Sequence, residues 1–376
     1  MSSAPKAAPH LRALTGLRFV AAFWVLVFHT MPRAALPAPL RALAAGGFLG
    51  VGLFFVLSGF ILAHVYGARA VTGTLSARQF WRARFARVYP AYCFALLFAI
   101  PLLAHFVRTT GTPRGATLAG ICVANVTMLQ AWVPGWGCVW NCPGWSLSAE
   151  AFFYLAFPLV APWVLRQQGD RLWWIAGVCV AALVAVGMLL GNTAEEVPFR
   201  SVYEGAYLTA WTPLVRLPEF VLGICAARLA SRPDGYIRLP AWVTLAATVV
   251  LAAIVVVSEG WSYGLLRVAA VTVPVAVLIV SLASPSGTSV LASRALVRLG
   301  NASYSLYLLH AVAHSYFLAV ANRVVSREWA PGWTAFVVYS LMTVALAIVV
   351  HDWLELPMRR ALRPTAERVS SAAAAW

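Results

Sequence analysis

The chain of 376 residues is 61% hydrophobic and only 11% charged, and its mean hydropathy is +0.79. A soluble domain is normally about a quarter charged, so this composition excludes an ordinary soluble protein. The net charge of +16 arises from 28 basic and 12 acidic residues. Because the arginines stand between apolar runs, they indicate contact with anionic lipid and membrane orientation rather than nucleic-acid binding.

Apolar runs of roughly 20 residues recur along the whole chain, which is the length that a helix needs to cross a bilayer core of about 30 Å. They lack the strict alternation of a transmembrane β-barrel, so helices carry the spans. We predict an all-α fold, a polytopic transmembrane helical bundle of about ten spans plus one partly inserted helix. The candidate segments in chain order are 13–31, 46–66, 89–107, 115–132, 145–165, 172–190, 206–230, 240–257, 263–283, 297–320 and 333–355.

Arginine-rich connections predict the sidedness of the bundle. The positive-inside rule places the connections at 69–87 and 228–238 in the cytoplasm. Five candidate segments separate them, and an odd number of crossings would break the rule, so one of the five does not cross. Segment 115–132 is the most polar of these, and we expect it to be the partly inserted helix. The acidic loop with Glu195 then lies outside.

This sidedness divides the chain into three parts. They are a cytoplasmic N-terminal segment at 1–12, a membrane domain at 13–362 and a cytoplasmic tail at 363–376. Cys138 and Cys142 lie in an outer loop, where either a disulfide or two free thiols would fit.

The first apolar segment carries two ionisable residues. Arg18 interrupts the segment, so we interpret it as an uncleaved first span rather than a signal peptide. His29 follows eleven residues later, which returns it to nearly the same helix face about 16 Å away. This face presents either a functional cation and imidazole or a snorkelling arginine and an interfacial histidine.

Two later segments also carry polar residues among apolar ones. Glu150 lies a few residues into segment 145–165, where it either orients a histidine or pairs with an arginine of another helix. Ser303, Tyr307 and His310 follow the i, i+4, i+7 pattern that puts them on one helix face. This stripe either contacts a substrate or forms interhelical hydrogen bonds.

A cluster of arginines precedes the third apolar segment. Arg78, Arg82, Arg84 and Arg87 alternate with aromatic residues, as in an amphipathic helix on anionic lipid. Their guanidiniums can equally bind phosphates that are presented from the cytoplasm. Ser58 lies in an apolar segment beside a glycine, where it either allows tight packing or admits a ligand.

Six short motifs follow one another along the chain. They are Leu14-Thr-Gly-Leu-Arg-Phe continuing to His29, Phe54-Phe-Val-Leu-Ser-Gly-Phe, Arg84-Phe-Ala-Arg87-Val-Tyr-Pro, Trp145-Ser-Leu-Ser-Ala-Glu150-Ala-Phe-Phe-Tyr, Leu299-Gly-Asn-Ala-Ser-Tyr-Ser-Leu-Tyr-Leu-Leu-His310 and Glu355-Leu-Pro-Met-Arg-Arg. In this order they resemble the acyltransferase 3 family of integral membrane O-acyltransferases, over nearly the whole chain. The chain is similar to the stand-alone form, without the extra C-terminal esterase-like domain of many members, and this form includes enzymes that acylate macrolide antibiotics.

The resemblance implies a donor and the residues that bind it. Acyl-CoA would be a co-substrate, with no permanently bound cofactor, and its phosphates would contact Arg84 and Arg87 at the inner face, with Arg18 further in. His310 and His314 are spaced as metal ligands could be, but no further ligand cluster accompanies them, so no metal site is predicted.

The resemblance also implies catalytic roles for the polar residues. His29 would take the proton from an acceptor hydroxyl, or act first as a nucleophile that carries the acyl group. Glu150 would fix the tautomer of His29 if their helices meet. Ser58 or a tyrosine would donate to the developing oxyanion, and Tyr307 and His310 are candidates for substrate contact.

The outer loop at 132–145 predicts the class of acceptor. Trp136 and Trp140 belong to its four tryptophans, and the loop carries no charge. Tryptophan faces stack on sugar rings, so we expect a neutral glycan or glycosylated small molecule, although an interfacial aromatic belt would have the same composition.

A transporter or exporter of a sugar or small metabolite is the alternative function, because intramembrane Arg, His and Glu also line substrate paths. The sequence lacks an internal inverted repeat, which favours the enzyme. In either case we expect a multi-pass protein of the cell membrane, the cytoplasmic membrane of a bacterium.

Overall fold

The computed structural model of the chain describes residues 11–190, 211–232, 235–261, 264–284, 290–324 and 332–362. Its α-helices are α1 (Arg12–Thr30), α2 (Ala38–Ala45), α3 (Gly50–Val71), α4 (Ala77–Phe98), α5 (Ile100–Thr110), α6 (Gly115–Val126), α7 (Gly144–Leu165), α8 (Asp170–Leu190), α9 (Pro213–Ala230), α10 (Ala241–Val257), α11 (Gly264–Ala283), α12 (Arg294–Asn301), α13 (Ser303–Val324), α14 (Trp333–Val350) and α15 (Leu356–Leu362). Two short antiparallel strands, β1 (Ser231–Arg232) and β2 (Gly235–Tyr236), follow α9. The predicted helical bundle is confirmed.

Eight helical segments of the described ranges are long and apolar enough to cross a membrane, or nine if the bent pair α4 and α5 forms one span. The expectation of about ten spans also counted segment 206–230. Its helix α9 has 18 residues and carries three charged ones, Arg216, Glu219 and Arg228, so it is not among the eight. Helix α6, in the segment expected not to cross, has 12 residues, or about 18 Å, which is too short for the bilayer core.

Parts of the predicted topology fall on residues that the structure does not describe. The tail at 363–376, the loop with Glu195 and most of segment 1–12 lie outside the described residues. The sidedness of the bundle stays a prediction.

Helices α3 and α9 form the most extensive helix pair of the bundle. A Cβ at Gly59 would overlap the carbonyl oxygen of Phe220, and a Cβ at Gly223 would overlap that of Val56. Small residues allow two spans to approach until their backbones touch. Phe153 of α7 stacks on Phe220 at a centroid distance of 4.9 Å, so α7 joins the same core. These three helices support the cavities described below.

The connection between α6 and α7 folds back onto the bundle. Cys138 and Cys142 form a disulfide there, one of the two alternatives left by the sequence. Asn141 donates from its side-chain amide to the carbonyl oxygen of Leu308 on α13, at 3.2 Å. The start of α7 is thereby fixed against α13.

A π-helical turn at His351–Glu355 joins α14 to α15. It directs Glu355 inward, where only 2% of the residue is exposed. Glu355 accepts a hydrogen bond from Ser305 Oγ at 3.0 Å and contacts His351 Nδ1 at 3.1 Å. Ser305 belongs to α13, so its hydrogen bond to Glu355 gives the last of the six motifs a role in the packing of that helix.

Candidate functional site: two cavities with a shared wall

Cavity 1 is lined by residues of α1, α3, α4, α7 and α13 and has a volume of about 100 Å³. Three arginines and one carboxylate line it, so the cavity is positively charged and suits an anionic group. It brings together six of the predicted site residues, which are Arg18, Ser58, Arg84, Arg87, Glu150 and Tyr307.

The three arginines of cavity 1 are held in different ways. Arg84 is 5% exposed, and its Nη2 donates to the hydroxyl of Tyr66 at 2.9 Å. Arg87 is half-buried, and its buried Nη1 has no hydrogen-bond partner among the described residues. The side chain of Arg18 lines the cavity and forms no hydrogen bond or ion pair within the same ranges. Arg18 and Arg87 therefore keep donors for a ligand, whereas Arg84 also anchors α4 to α3.

Glu150 lies in cavity 1 and not beside the histidine that it was expected to orient. Its Oε1 accepts hydrogen bonds from the Tyr154 hydroxyl and, at 3.5 Å, from Ser58. The ring of His29 is instead bonded to the carbonyl oxygen of Val25, at 2.8 Å. The expected contact between Glu150 and His29 is not formed, because the backbone of α1 itself occupies the nitrogen that Glu150 would have held.

Cavity 2 lies toward the other end of α1 and has a volume of about 390 Å³. His29 is exposed to it, and Tyr307 and His310 line it as well. Val51 and Tyr307 line both cavities, so they form a wall between them. Arg18, on the side of cavity 1, is about 16 Å along α1 from His29. The sequence-predicted residues thus fall into two neighbouring cavities rather than one.

Two backbone carbonyls determine the tautomers of the paired histidines. A carbonyl oxygen only accepts, so Nδ1 of His29 must donate to Val25, and Nδ1 of His310 must donate to Tyr307 at 2.7 Å. In neutral rings, Nε2 of each then carries a lone pair. Nε2 of His310 lies 3.3 Å from Nδ1 of His29 and accepts a second, longer hydrogen bond from it. Nε2 of His29 is left as a base.

Charged residues that sequence reasoning missed complete cavity 2. Arg216 on α9 lines it and pairs with the buried Glu219, with Nε 2.8 Å from Oε2. Arg267 on α11 also lines it and donates to Ser258 Oγ at 3.3 Å. Arg216, Glu219 and Arg267 all lie within predicted apolar segments. A search for charged residues in such segments, which identified Arg18, would therefore have found them as well.

The tryptophans of the outer loop separate into two groups. Trp136 packs on α6, where a Cβ at Gly120 would lie 2.7 Å from the indole ring, and Trp140 packs against the same small apolar cluster. Neither lines cavity 1 or cavity 2. Trp145 does line cavity 2, and its ring stacks on that of Trp211 at 5.4 Å. The geometry therefore moves the candidate substrate contact from Trp136 and Trp140 to Trp145, the second residue of α7.

Comparison with known proteins places the chain in a family. A family model described as an acyltransferase domain matches residues 11–352. The acyltransferase MdmB of Streptomyces mycarofaciens is 32% identical over 390 residues, which cover 96% of each chain. The O-acetyltransferase OatA of Staphylococcus aureus is 22% identical over 93% of this chain, which spans 57% of OatA. No solved structure matches the chain significantly. The chain is therefore a multi-pass membrane protein of the acyltransferase 3 family, as its motifs predicted.

Proposed function

We propose that the protein is an O-acyltransferase of the bacterial cytoplasmic membrane. It transfers an acetyl or other short acyl group from acyl-CoA to a hydroxyl of a sugar-containing acceptor, either a cell-surface glycan or a glycosylated natural product such as a macrolide. One observation carries this proposal. A cationic cavity and a cavity with a basic imidazole adjoin at Val51 and Tyr307, so a donor in the first lies next to an acceptor in the second.

The donor occupies cavity 1. The reactive end of the donor enters the cavity first, between Ser58 and Glu150. The phosphates then stay near the arginines of α4, where charge-assisted hydrogen bonds to guanidinium are strong. Arg78 and Arg82 of the same helix are exposed and extend this cationic surface beyond the cavity.

The acceptor hydroxyl approaches His29 from cavity 2. As its oxygen forms a bond to the thioester carbonyl carbon, Nε2 of His29 takes the hydroxyl proton. The carbon–sulfur bond then breaks, and the departing thiolate receives that proton from the imidazolium, which gives an ester and free CoA. The carbonyl of Val25 and Nε2 of His310 hold the Nδ1 proton throughout, so the imidazolium is stabilised without a carboxylate.

The test measures CoA release by the purified protein in lipid nanodiscs, with acetyl-CoA and a panel of neutral glycosides. We expect release that depends on acceptor and that is lost in His29→Ala. His105→Ala is the matched control, because His105 is exposed on α5 and its side chain makes no contact with either cavity. Movement of a glycoside across the membrane of proteoliposomes without CoA release would refute the enzyme and support a transporter.

A second experiment separates direct transfer from an acyl-histidine intermediate. The protein is incubated with radiolabelled acetyl-CoA in the absence of acceptor and then denatured. Direct transfer predicts no label on the chain, whereas label that disappears in His29→Ala would show that His29 is first a nucleophile.

A further inference from the structure

The buried ion pair of α9 lies at the edge of cavity 2. The side chain of Arg216 is 5% exposed and that of Glu219 is 0% exposed. Arg216 Nε lies 2.8 Å from Oε2 of Glu219, and its Nη2 donates to Oε1 at 3.2 Å. Ionisable groups are costly inside a membrane span, and an ion pair adds little stability over apolar side chains of the same size. Stability therefore does not explain the pair, and the position of Arg216 on the wall of cavity 2 points to a role there.

The surroundings fix the guanidinium of Arg216 in one orientation. It lies 5.2 Å from the ring centroid of Phe55 and 5.9 Å from that of Trp145, within the range of cation–π contacts. Gly52 of α3 leaves room for the pair, because a Cβ there would lie 2.5 Å from Oε1 of Glu219. A planar group held by two rings and a two-point ion pair is preorganised, so it loses little entropy when it binds a ligand.

The guanidinium has donors that the protein does not use. Arginine carries five N–H groups, and one of them, on Nη2, donates to Glu219, while Nε lies close to Oε2 without forming a hydrogen bond. The described part of the chain offers no acceptor for Nη1, and Arg216 lines cavity 2 together with His29 and His310. The unused donors therefore face the space in which an acceptor hydroxyl would meet the base.

The charge of the pair determines which ligand it suits. Glu219 neutralises Arg216, so this pair presents hydrogen-bond donors without a net charge, while the other arginine of the cavity, Arg267, donates to Ser258. Hydroxyl and ring oxygens of a sugar accept such bonds, while an anion gains little attraction from a neutral pair. From these observations we propose that Arg216, held by Glu219, is a subsite for oxygen atoms of a neutral, polyhydroxylated acceptor in cavity 2. The inference rests on the proposed function and names the acceptor class of the same site.

The test uses the double variant Arg216→Leu/Glu219→Leu, which removes both charges and avoids an unpaired one. The matched control is Arg298→Ala/Asp352→Ala, which removes an exposed ion pair of similar composition. We expect the double variant to raise KM for the best neutral methyl glycoside roughly ten- to a hundredfold, as for the loss of one or two hydrogen bonds to a charged group. KM for acetyl-CoA should stay within about threefold, and the control should match the parent.

Each other outcome overturns either this inference or the proposed function. An unchanged KM for the glycoside in a folded double variant would overturn the subsite. A fall in kcat with unchanged KM would assign Arg216 to the transition state instead. A parent that prefers methyl glucuronide, or that releases CoA but acylates no glycoside, would overturn the neutral acceptor class. A parent that never releases CoA refutes the proposed function itself. If the double variant does not fold, Arg216→Met/Glu219→Gln, which removes the guanidinium donors and also leaves no buried charge, gives the same KM comparison.

Discussion

Replacement of His310 tests how the base is held. His310→Leu removes the Nε2 acceptor that lies 3.3 Å from Nδ1 of His29 and keeps a side chain of similar size. A hydrogen bond to a charged group contributes about 1.5–3 kcal/mol, and about 1.4 kcal/mol corresponds to a tenfold rate change. The Nδ1 proton of His29 also forms a shorter hydrogen bond to the carbonyl oxygen of Val25, at 2.8 Å. The contribution of the bond to His310 is therefore taken at the lower end of this range. We expect kcat to fall about tenfold.

The assay is acceptor-dependent CoA release, with His29→Ala measured in parallel. Loss of a general base costs about 10²- to 10⁴-fold. Because His310 acts through His29, the double variant His29→Ala/His310→Leu should be no slower than His29→Ala alone. His310→Gln, which restores an acceptor oxygen, should recover part of the rate. His314→Leu, one turn further along α13, is the control.

Two results would refute this reasoning. One is a His310→Leu variant that folds normally and keeps kcat within about twofold of the parent. The other is an effect of His310→Leu that persists in full when His29 is already replaced, since a residue that only positions the base has nothing left to position.

Three further predictions concern the arginines of cavity 1, the tryptophans near cavity 2 and the topology. Arg87→Ala should raise KM for acyl-CoA about tenfold without a change in thermal stability. Arg84→Ala should raise this KM and also lower thermal stability, because it leaves the Tyr66 hydroxyl without its buried donor. Equal thermal stability of the two variants would contradict this distinction. Trp145→Ala should raise KM for the acceptor, and Trp136→Ala should lower thermal stability with little change in this KM. The reverse pattern would show that Trp136 of the outer loop, and not Trp145, contacts the acceptor. A reporter inserted at Gly73, in the turn after α3, should be cytoplasmic, and a periplasmic signal there would invert the topology.

The sequence predicts the helices of this bundle well, because each needs only a run of apolar residues of the right length. It also predicts most of cavity 1, since an arginine or glutamate within such a run stands out whatever it contacts. Arg18 and Glu150 were found in this way, Arg87 was found in the basic cluster before the third apolar segment, and Arg216 satisfies the first criterion.

The partners of these residues could not be predicted in the same way. Which helices touch, and at what rotation, depends on small residues such as Gly59 and Gly223, which are 164 positions apart and carry no hydropathy signal. The packing of the helices places Glu150 in cavity 1, away from His29, and a carbonyl oxygen of α1 itself holds the ring of His29. For the same reason the loop sequence cannot distinguish a tryptophan that packs on α6 from Trp145, which turns into a cavity.

The wall of Val51 and Tyr307 also bears on how the membrane stays sealed. The hydroxyl of Tyr307 donates to the carbonyl oxygen of Pro143 at 3.2 Å and lies 2.7 Å from Ser146 Oγ, so the ring is fixed in place. Two polar cavities that lead toward opposite ends of a span would form a leak for protons if this ring were absent. We therefore expect Tyr307 to limit the passage of protons between the two cavities when they are empty, a constraint on this position that is separate from the chemistry performed beside it.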